Sequence, residues 1–169
     1  NSSTLSYFLF EKHQMTQQTC PCGKGSYTQC CEPLHLGTAK ALTAEQLMRS
    51  RYSAFALQQI DYIVQTTALG QQTALDKDAI AEWSKQNQWL GLDVVNANEK
   101  LDKTHAQVEF KAHYHDGQKA QIHHEVSHFV YHQQKWFFLD PTVDMHVTMK
   151  QPCICGSGKK FKQCCAQFL

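Results

Sequence analysis

The chain has 169 residues, 42% of them hydrophobic and 18% charged, which suits one ordinary globular domain with small appendages and excludes a disordered chain. Its formal net charge of +1 recommends neither nucleic acid nor an acidic membrane as a partner of the whole molecule. The apolar stretch Leu5 to Phe10 is too short to span a bilayer and lacks the flanks of an export signal, so the expected place is the cytoplasm, with thiols reduced.

Residues 1–19 read as an N-terminal extension. The segment 20–36 then carries the first of two cysteine clusters, Cys20-Pro-Cys22-Gly-Lys-Gly-Ser-Tyr-Thr-Gln-Cys30-Cys31. A Cys-x-Cys pair can offer both sulfurs to one ion. Gly23 and Gly25 let the backbone turn sharply behind it. Four sulfurs are the ligand count of a closed structural zinc site. A disulfide framework is the alternative for an even number of cysteines, disfavoured because adjacent cysteines bridge each other poorly. His35 reads as an ordinary loop histidine, with replacement of a cysteine ligand as the alternative.

A body of α+β character follows over 37–142. Thr43-Ala-Glu-Gln46 is a capping box. Behind it Met48, Tyr52, Phe55, Ala56 and Ile63 recur at helical spacing, which predicts a helix over 44–66. Arg49 and Arg51 lie two apart and so point to different sides. One is placed to approach a cavity or to bind the loop after the first cluster; the alternative is a pair of solvated charges. A second helix is expected after Asp76 or Asp78, with Ala79, Ile80, Trp83 and Leu90 on one stripe and Gly91 as its C-terminal cap.

After Gly91 the period changes from helical to alternating. Leu92 to Val95 predicts one strand. Ala106, Val108, Phe110, Ala112 and Tyr114 form the apolar face of the next. Asp116-Gly117 marks a tight hairpin turn. The returning strand runs from Lys119 to Tyr131, and a turn at Gln133-Gln134 leads into Trp136 to Leu139. Two helices followed by a curved antiparallel sheet make an α+β domain. Residues 143–169 are a linker and the second cluster, Cys153-Ile-Cys155-Gly-Ser-Gly-Lys-Lys-Phe-Lys-Gln-Cys164-Cys165. It has one residue more between its pairs than the first. Tyr27 and Phe161 stand three residues before their closing pairs, as an apolar floor for each knuckle.

The repeated cysteine pattern resembles the SEC-C motif, named for the zinc-binding tail of the SecA preprotein-translocase motor. The resemblance implies that Cys20, Cys22, Cys30 and Cys31, and likewise Cys153, Cys155, Cys164 and Cys165, are metal ligands. It implies a docking and structural module, with protein partners in secretion or translation. The order of the central elements resembles the cone-shaped fold of the nuclear transport factor 2-like superfamily. From Cys20 onward the chain is similar to the YchJ-like proteins of the bacterial UPF0225 group. Matching stretches are Glu32-Pro-Leu-His35, Leu47-Met-Arg-Ser-Arg-Tyr-Ser-Ala-Phe55, His124-Glu-Val-Ser-His-Phe129 and Lys135-Trp-Phe-Phe-Leu-Asp140. This likeness implies a bacterial, cytoplasmic protein and carries no particular activity. Cone folds pair through the open sheet face, so a homodimer is one outcome it allows.

Three functions remain in view. The first is a zinc-dependent binding or adaptor protein docking through its knuckles. The second is an enzyme or small-ligand binder using the cone cavity. His124 and His128 are its candidate groups; they share phase with Ile122, Val126 and Val130, while Glu125 lies on the opposite phase. The bland alternative is a set of hydrogen-bonded sheet histidines on a solvent or dimer face. The third is RNA binding through Lys159-Lys160-Phe161-Lys162, although the thiolate charge of the knuckle is itself a sufficient reason for those lysines.

Overall fold

The computed structural model describes residues 18–169. The reading of 1–19 as an extension, and of Leu5 to Phe10 as too short to cross a membrane, falls almost wholly outside them. Among the described residues four helices precede four strands: α1 (Glu32–His35), α2 (Ala44–Leu57), α3 (Ile60–Gln65), α4 (Lys77–Gln86), then β1 (Gln88–Asn98), β2 (His105–His115), β3 (Ala120–His132) and β4 (Lys135–Leu139). Short 3-10 turns occur at Tyr27–Gln29, Leu69–Ala74, Phe161–Gln163 and Cys165–Phe168.

The hydroxyl half of the capping box forms as read, while the glutamine reaches one residue further back than the cap amide. Thr43 Oγ1 accepts from the Gln46 amide at 3.1 Å, and Gln46 Oε1 accepts from the Leu42 amide at 2.7 Å. The helix behind it is shorter than the predicted 44–66. Gln58 adopts a left-handed conformation with φ of 58°, ending α2, and the chain restarts as α3. Glycine is the usual residue there, so a glutamine hides the break.

Asp76 opens α4, its carboxylate accepting from the Ala79 amide at 3.0 Å. The helix stops at Gln86, short of the predicted cap. Gly91 lies inside β1 instead, beside a register irregularity between Trp89 and Gly91, and its amide donates to Tyr52 Oη at 2.9 Å. Pairing with β2 from Gln88 onward satisfies this backbone better than another helical turn would.

The sheet is antiparallel in the order β1-β2-β3-β4. Asp116 Oδ1 closes the first hairpin by accepting from the Gln118 and Lys119 amides. Gln133 and Gln134, with φ of 49° and 64°, make the two-residue turn of the second.

The two faces of the sheet have different coverings. On the inner face Val108, Phe110, Ala112 and Phe129 pack with Leu47, Met48 and Tyr52 of α2, and Cys20, Cys22 and Cys31 belong to the same buried cluster. On the outer face Val130, Phe137 and Leu139 lie under the second knuckle, with Ile154 and Phe161. The Gly70 amide donates to Ile154 O at 2.8 Å, and a Cβ on Gly70 would stand 2.9 Å from Ile154 Cβ. Only glycine permits that approach. No helix among the described residues is long and apolar enough to cross a membrane.

Candidate functional site: two sulfur clusters and a central cavity

The eight cysteines are free thiols, which sets aside a disulfide framework. Cys20, Cys22, Cys30 and Cys31 bring their sulfurs within 4.8 Å of one another, and so do Cys153, Cys155, Cys164 and Cys165. The hydrogen-bonded sulfurs are 3.4 Å apart for Cys22–Cys30, 3.6 Å for Cys155–Cys164, and 3.9 Å for both Cys30–Cys31 and Cys164–Cys165. A tetrahedral thiolate site with metal–sulfur bonds near 2.3 Å separates its sulfurs by about 3.8 Å. Donor number, softness and spacing therefore fit a thiophilic divalent metal.

The local backbone is alike in both knuckles. Gly23, Gly25, Gly156 and Gly158 all take left-handed φ between 83° and 89°. The missing residue of the first cluster is removed from the loop behind the second glycine. Cys20 N donates to Gly25 O, whereas Cys153 N donates to Lys159 O, and the sulfurs converge equally well.

Crowded sulfurs cannot all ionise without a cation between them. Cys22 is drawn down to about 4, chiefly because the Cys31 thiol donates to it, and Cys31 is driven up chiefly by the same bond. Cys155 is likewise lowered, first by Cys153, and Cys165 is raised, first by Cys153.

Each cluster is braced by neighbours. Arg49 donates to Cys22 O at 2.9 Å and to Glu45 at 3.0 Å, so it binds within the first cluster. His35 is no ligand: its Nε2 donates to Ser50 O at 2.8 Å and its Nδ1 accepts from Tyr27 Oη at 2.7 Å. At the second cluster a histidine outside every motif stands beside a sulfur. His105, 2% exposed, has Nδ1 2.8 Å from Asp102 Oδ1 and Nε2 3.3 Å from Cys165 Sγ. It was missed because it opens a strand far from the cysteines in sequence.

The cavity lies between α2, α4 and the inner face of the sheet, with a volume of about 490 Å³. Tyr52, Phe55, Trp83, Trp89, Phe110, Phe129 and Phe138 line it, with Arg51, His123, Glu125, Ser127 and Asp140 among its polar groups. Trp83 and Trp89 meet edge to face, with ring centres 5.1 Å apart.

His124 and His128 do not face this cavity, which corrects their place as its candidate groups; they are hydrogen-bonded sheet histidines on the outer face, the other reading of the sequence. His124 sits outside, half exposed, its Nε2 2.7 Å from Glu109. His128 is stacked on Phe168, ring centres 5.4 Å apart, and burial pushes its pKa down. The opposite phase faces inward, so Glu125 does line the cavity, and its partner is His123, 3.1 Å away. The hairpin register held the signal. Directly opposed residues share a face, so Phe110↔Glu125 and Ala112↔His123 follow from the Asp116-Gly117 turn once β2's apolar face is assigned inward.

Fold and sites together define a nuclear transport factor 2-like domain carrying four-cysteine knuckles. The model of the YchJ middle NTF2-like domain matches residues 43–141, and that of the SEC-C motif matches residues 149–167. A UPF0225 protein of Haemophilus influenzae (strain PittEE) is 50% identical over 153 residues, covering 90% of this chain and 94% of its own. A UPF0225 protein of Actinobacillus succinogenes is 46% identical, covering 89% and 97%. The crystal structure of a SEC-C motif containing protein from Psychrobacter arcticus aligns with a TM-score of 0.84 at 49% identity, over 90% of this chain and 97% of that one. The solution structure of a SEC-C motif containing protein from Rhodopseudomonas palustris aligns with a TM-score of 0.68 at 38% identity, over 75% and 100%. The chain belongs to the YchJ-like UPF0225 family of bacterial proteins.

Proposed function

We propose that this protein binds a small ligand with an aromatic body in its central cavity, and that its two cysteine clusters each hold a structural zinc ion. The cavity carries the reading. Its volume of about 490 Å³ lies within the ~300–1,000 Å³ of small-molecule sites, and aromatic walls surround a few placed polar groups. Cys20, Cys22, Cys30 and Cys31 would hold one ion, and Cys153, Cys155, Cys164 and Cys165 the other. Bound zinc supplies a closed tetrahedral tie with no open position for chemistry. The chain's own residues do the rest: the first knuckle backs α2, and the second backs β3 and β4.

The experiment is a titration with phenylnaphthylamine, a neutral aromatic probe that brightens in apolar sites. The wild type is expected to bind it. The variant Ala112→Phe, which places a ring inside the cavity, is expected to lose that binding while keeping its fold. Equal binding by both would move the site elsewhere.

His105 should orient Cys165 for the second ion. His105→Phe keeps most of the packing but removes the nitrogen facing the sulfur. Outer-shell partners of metal ligands are worth about 10–100-fold in affinity, so one of the two zinc ions should pass to a competing chelator at correspondingly lower chelator concentration. Unchanged release of both ions would reduce His105 to a packing residue.

A second reading, docking of a protein partner on the second knuckle, is favoured by Lys159, Lys160 and Lys162. All three are exposed, and none is ion-paired among the described residues. Exchanging them for glutamate should leave zinc bound and abolish co-purification of an acidic partner. Retention of the same partners would remove this reading.

A further inference from the structure

Arg51 is buried, 8% exposed, with its guanidinium 4.5 Å from the centre of the Phe138 ring. Only one end of its fork is used. Nη1 donates to Ile63 O at 2.8 Å and Thr66 Oγ1 at 2.7 Å, with Thr67 Oγ1 at 3.3 Å. Among the described residues no acceptor meets Nε or Nη2. The one fully buried side-chain polar atom left without a partner there is Ser26 Oγ, so these two nitrogens are open to the cavity that Arg51 lines.

The acids lining the same cavity are otherwise engaged. Asp140 Oδ1 accepts from the Thr142 amide at 2.9 Å and from Thr142 Oγ1 at 2.6 Å. Glu125 Oε2 is 3.1 Å from His123 Nε2. Neither forms an ion pair with Arg51 among the described residues. Burial lowers the guanidinium pKa to about 10, opposed by the charges of Asp140, Tyr62 and Glu125, so it stays charged at neutral pH while none of these groups occupies its Nε and Nη2 edge. A buried cation with two idle, coplanar donors is costly unless something anionic meets it.

We infer that the cavity takes an aromatic organic anion, its carboxylate or sulfonate held by the Nε and Nη2 edge of Arg51 and its ring packed against the cluster of Phe55, Trp83 and Trp89. This rests on the cavity being the binding site, as proposed above. Such a ligand satisfies both features of the space: flat apolar walls, and two donors of one guanidinium that no side chain among the described residues meets. Arginine is suited to it, because its planar donors match a carboxylate bidentately and a lysine's do not.

The test uses the full, zinc-loaded chain and two probes of like aromatic body, anilinonaphthalene sulfonate and neutral phenylnaphthylamine. Arg51→Met should weaken the sulfonate about tenfold and leave the neutral probe within about twofold, since a charge-assisted fork is lost and the walls are kept. Arg51→Lys should recover only part of that loss. Arg51 also ties α2 to α3, so a variant that fails to fold is anticipated by a measurement on the wild type. There, naphthoate should displace bound phenylnaphthylamine at about tenfold lower concentration than naphthamide does. Equal displacement by the two would overturn the anion while leaving the cavity as the site. Failure of the wild type to bind phenylnaphthylamine at all would remove the cavity reading and this inference with it.

Discussion

Cys22→Ser should destabilise the helical side of the protein and not merely empty one knuckle. Cys20, Cys22 and Cys31 are no more than 2% exposed and share one buried cluster with Leu47, Met48, Tyr52, Val108, Phe110 and Phe129. Arg49 of α2 is anchored on Cys22 O, and Cys20 Sγ lies 3.4 Å from Ser53 Oγ of the same helix. A serine is a poor zinc ligand, and zinc binding in such a site is largely folding free energy. With three thiolates left, the loss should reach ~3 kcal/mol or more, which for a chain of this size lowers Tm by about 10 °C. Calorimetry of the two proteins beside elemental analysis decides it. Half the metal lost with Tm unchanged would show that the first knuckle is a passenger on the fold.

Cys165→Ser should behave differently, although the same ligand chemistry is removed. Cys165 is fully buried, but its neighbours are Val130, Phe137, Leu139, Ile154 and Phe161 on the outer face of the sheet. Those contacts do not pass through the cluster beneath α2. Hydrogen exchange should therefore accelerate across 145–169 and along the outer-face contacts of β4. It should stay slow in α2, β1 and β2. If both proposed zinc sites are filled in the wild type, bound metal should fall from two ions to one. A uniform rise in exchange over the whole chain would mean that the two clusters unfold together. Gly70→Ala tests the same docking without touching a ligand, because a methyl group there meets Ile154 backbone at 3.0 Å.

Much of the fold is legible in local chemistry. Thr43, Asp76 and Asp116 each offer an oxygen to nearby amides, and the bonds form because both partners lie within a few residues. The alternation from Ala106 to Tyr114 reads correctly as a strand with a buried side, since a pleat admits no other reading. The helix breaks at Gln58, where nothing in the residue type announces a left-handed backbone. Gly91 reads as a cap by its type and is claimed by β1, because pairing with a distant strand overrides a local preference. The roles of the two helix arginines separate by three-dimensional placement alone. Arg49 reaches a backbone carbonyl of the first knuckle, and Arg51 turns under Phe138 into the cavity.

The two four-sulfur groups are legible before the chain folds, because their ligands lie within twelve or thirteen residues and the glycine turns between them are local. So is the helix-then-sheet order, which follows from hydrophobic period. Tertiary packing realised what the Asp116-Gly117 register implies, with His123 and Glu125 inward and His124 and His128 outward. It alone brought His105 against Cys165 from sixty residues away. These outcomes depend on how the layers stack, and stacking is settled by the summed burial of many residues, a quantity no short stretch of chain contains.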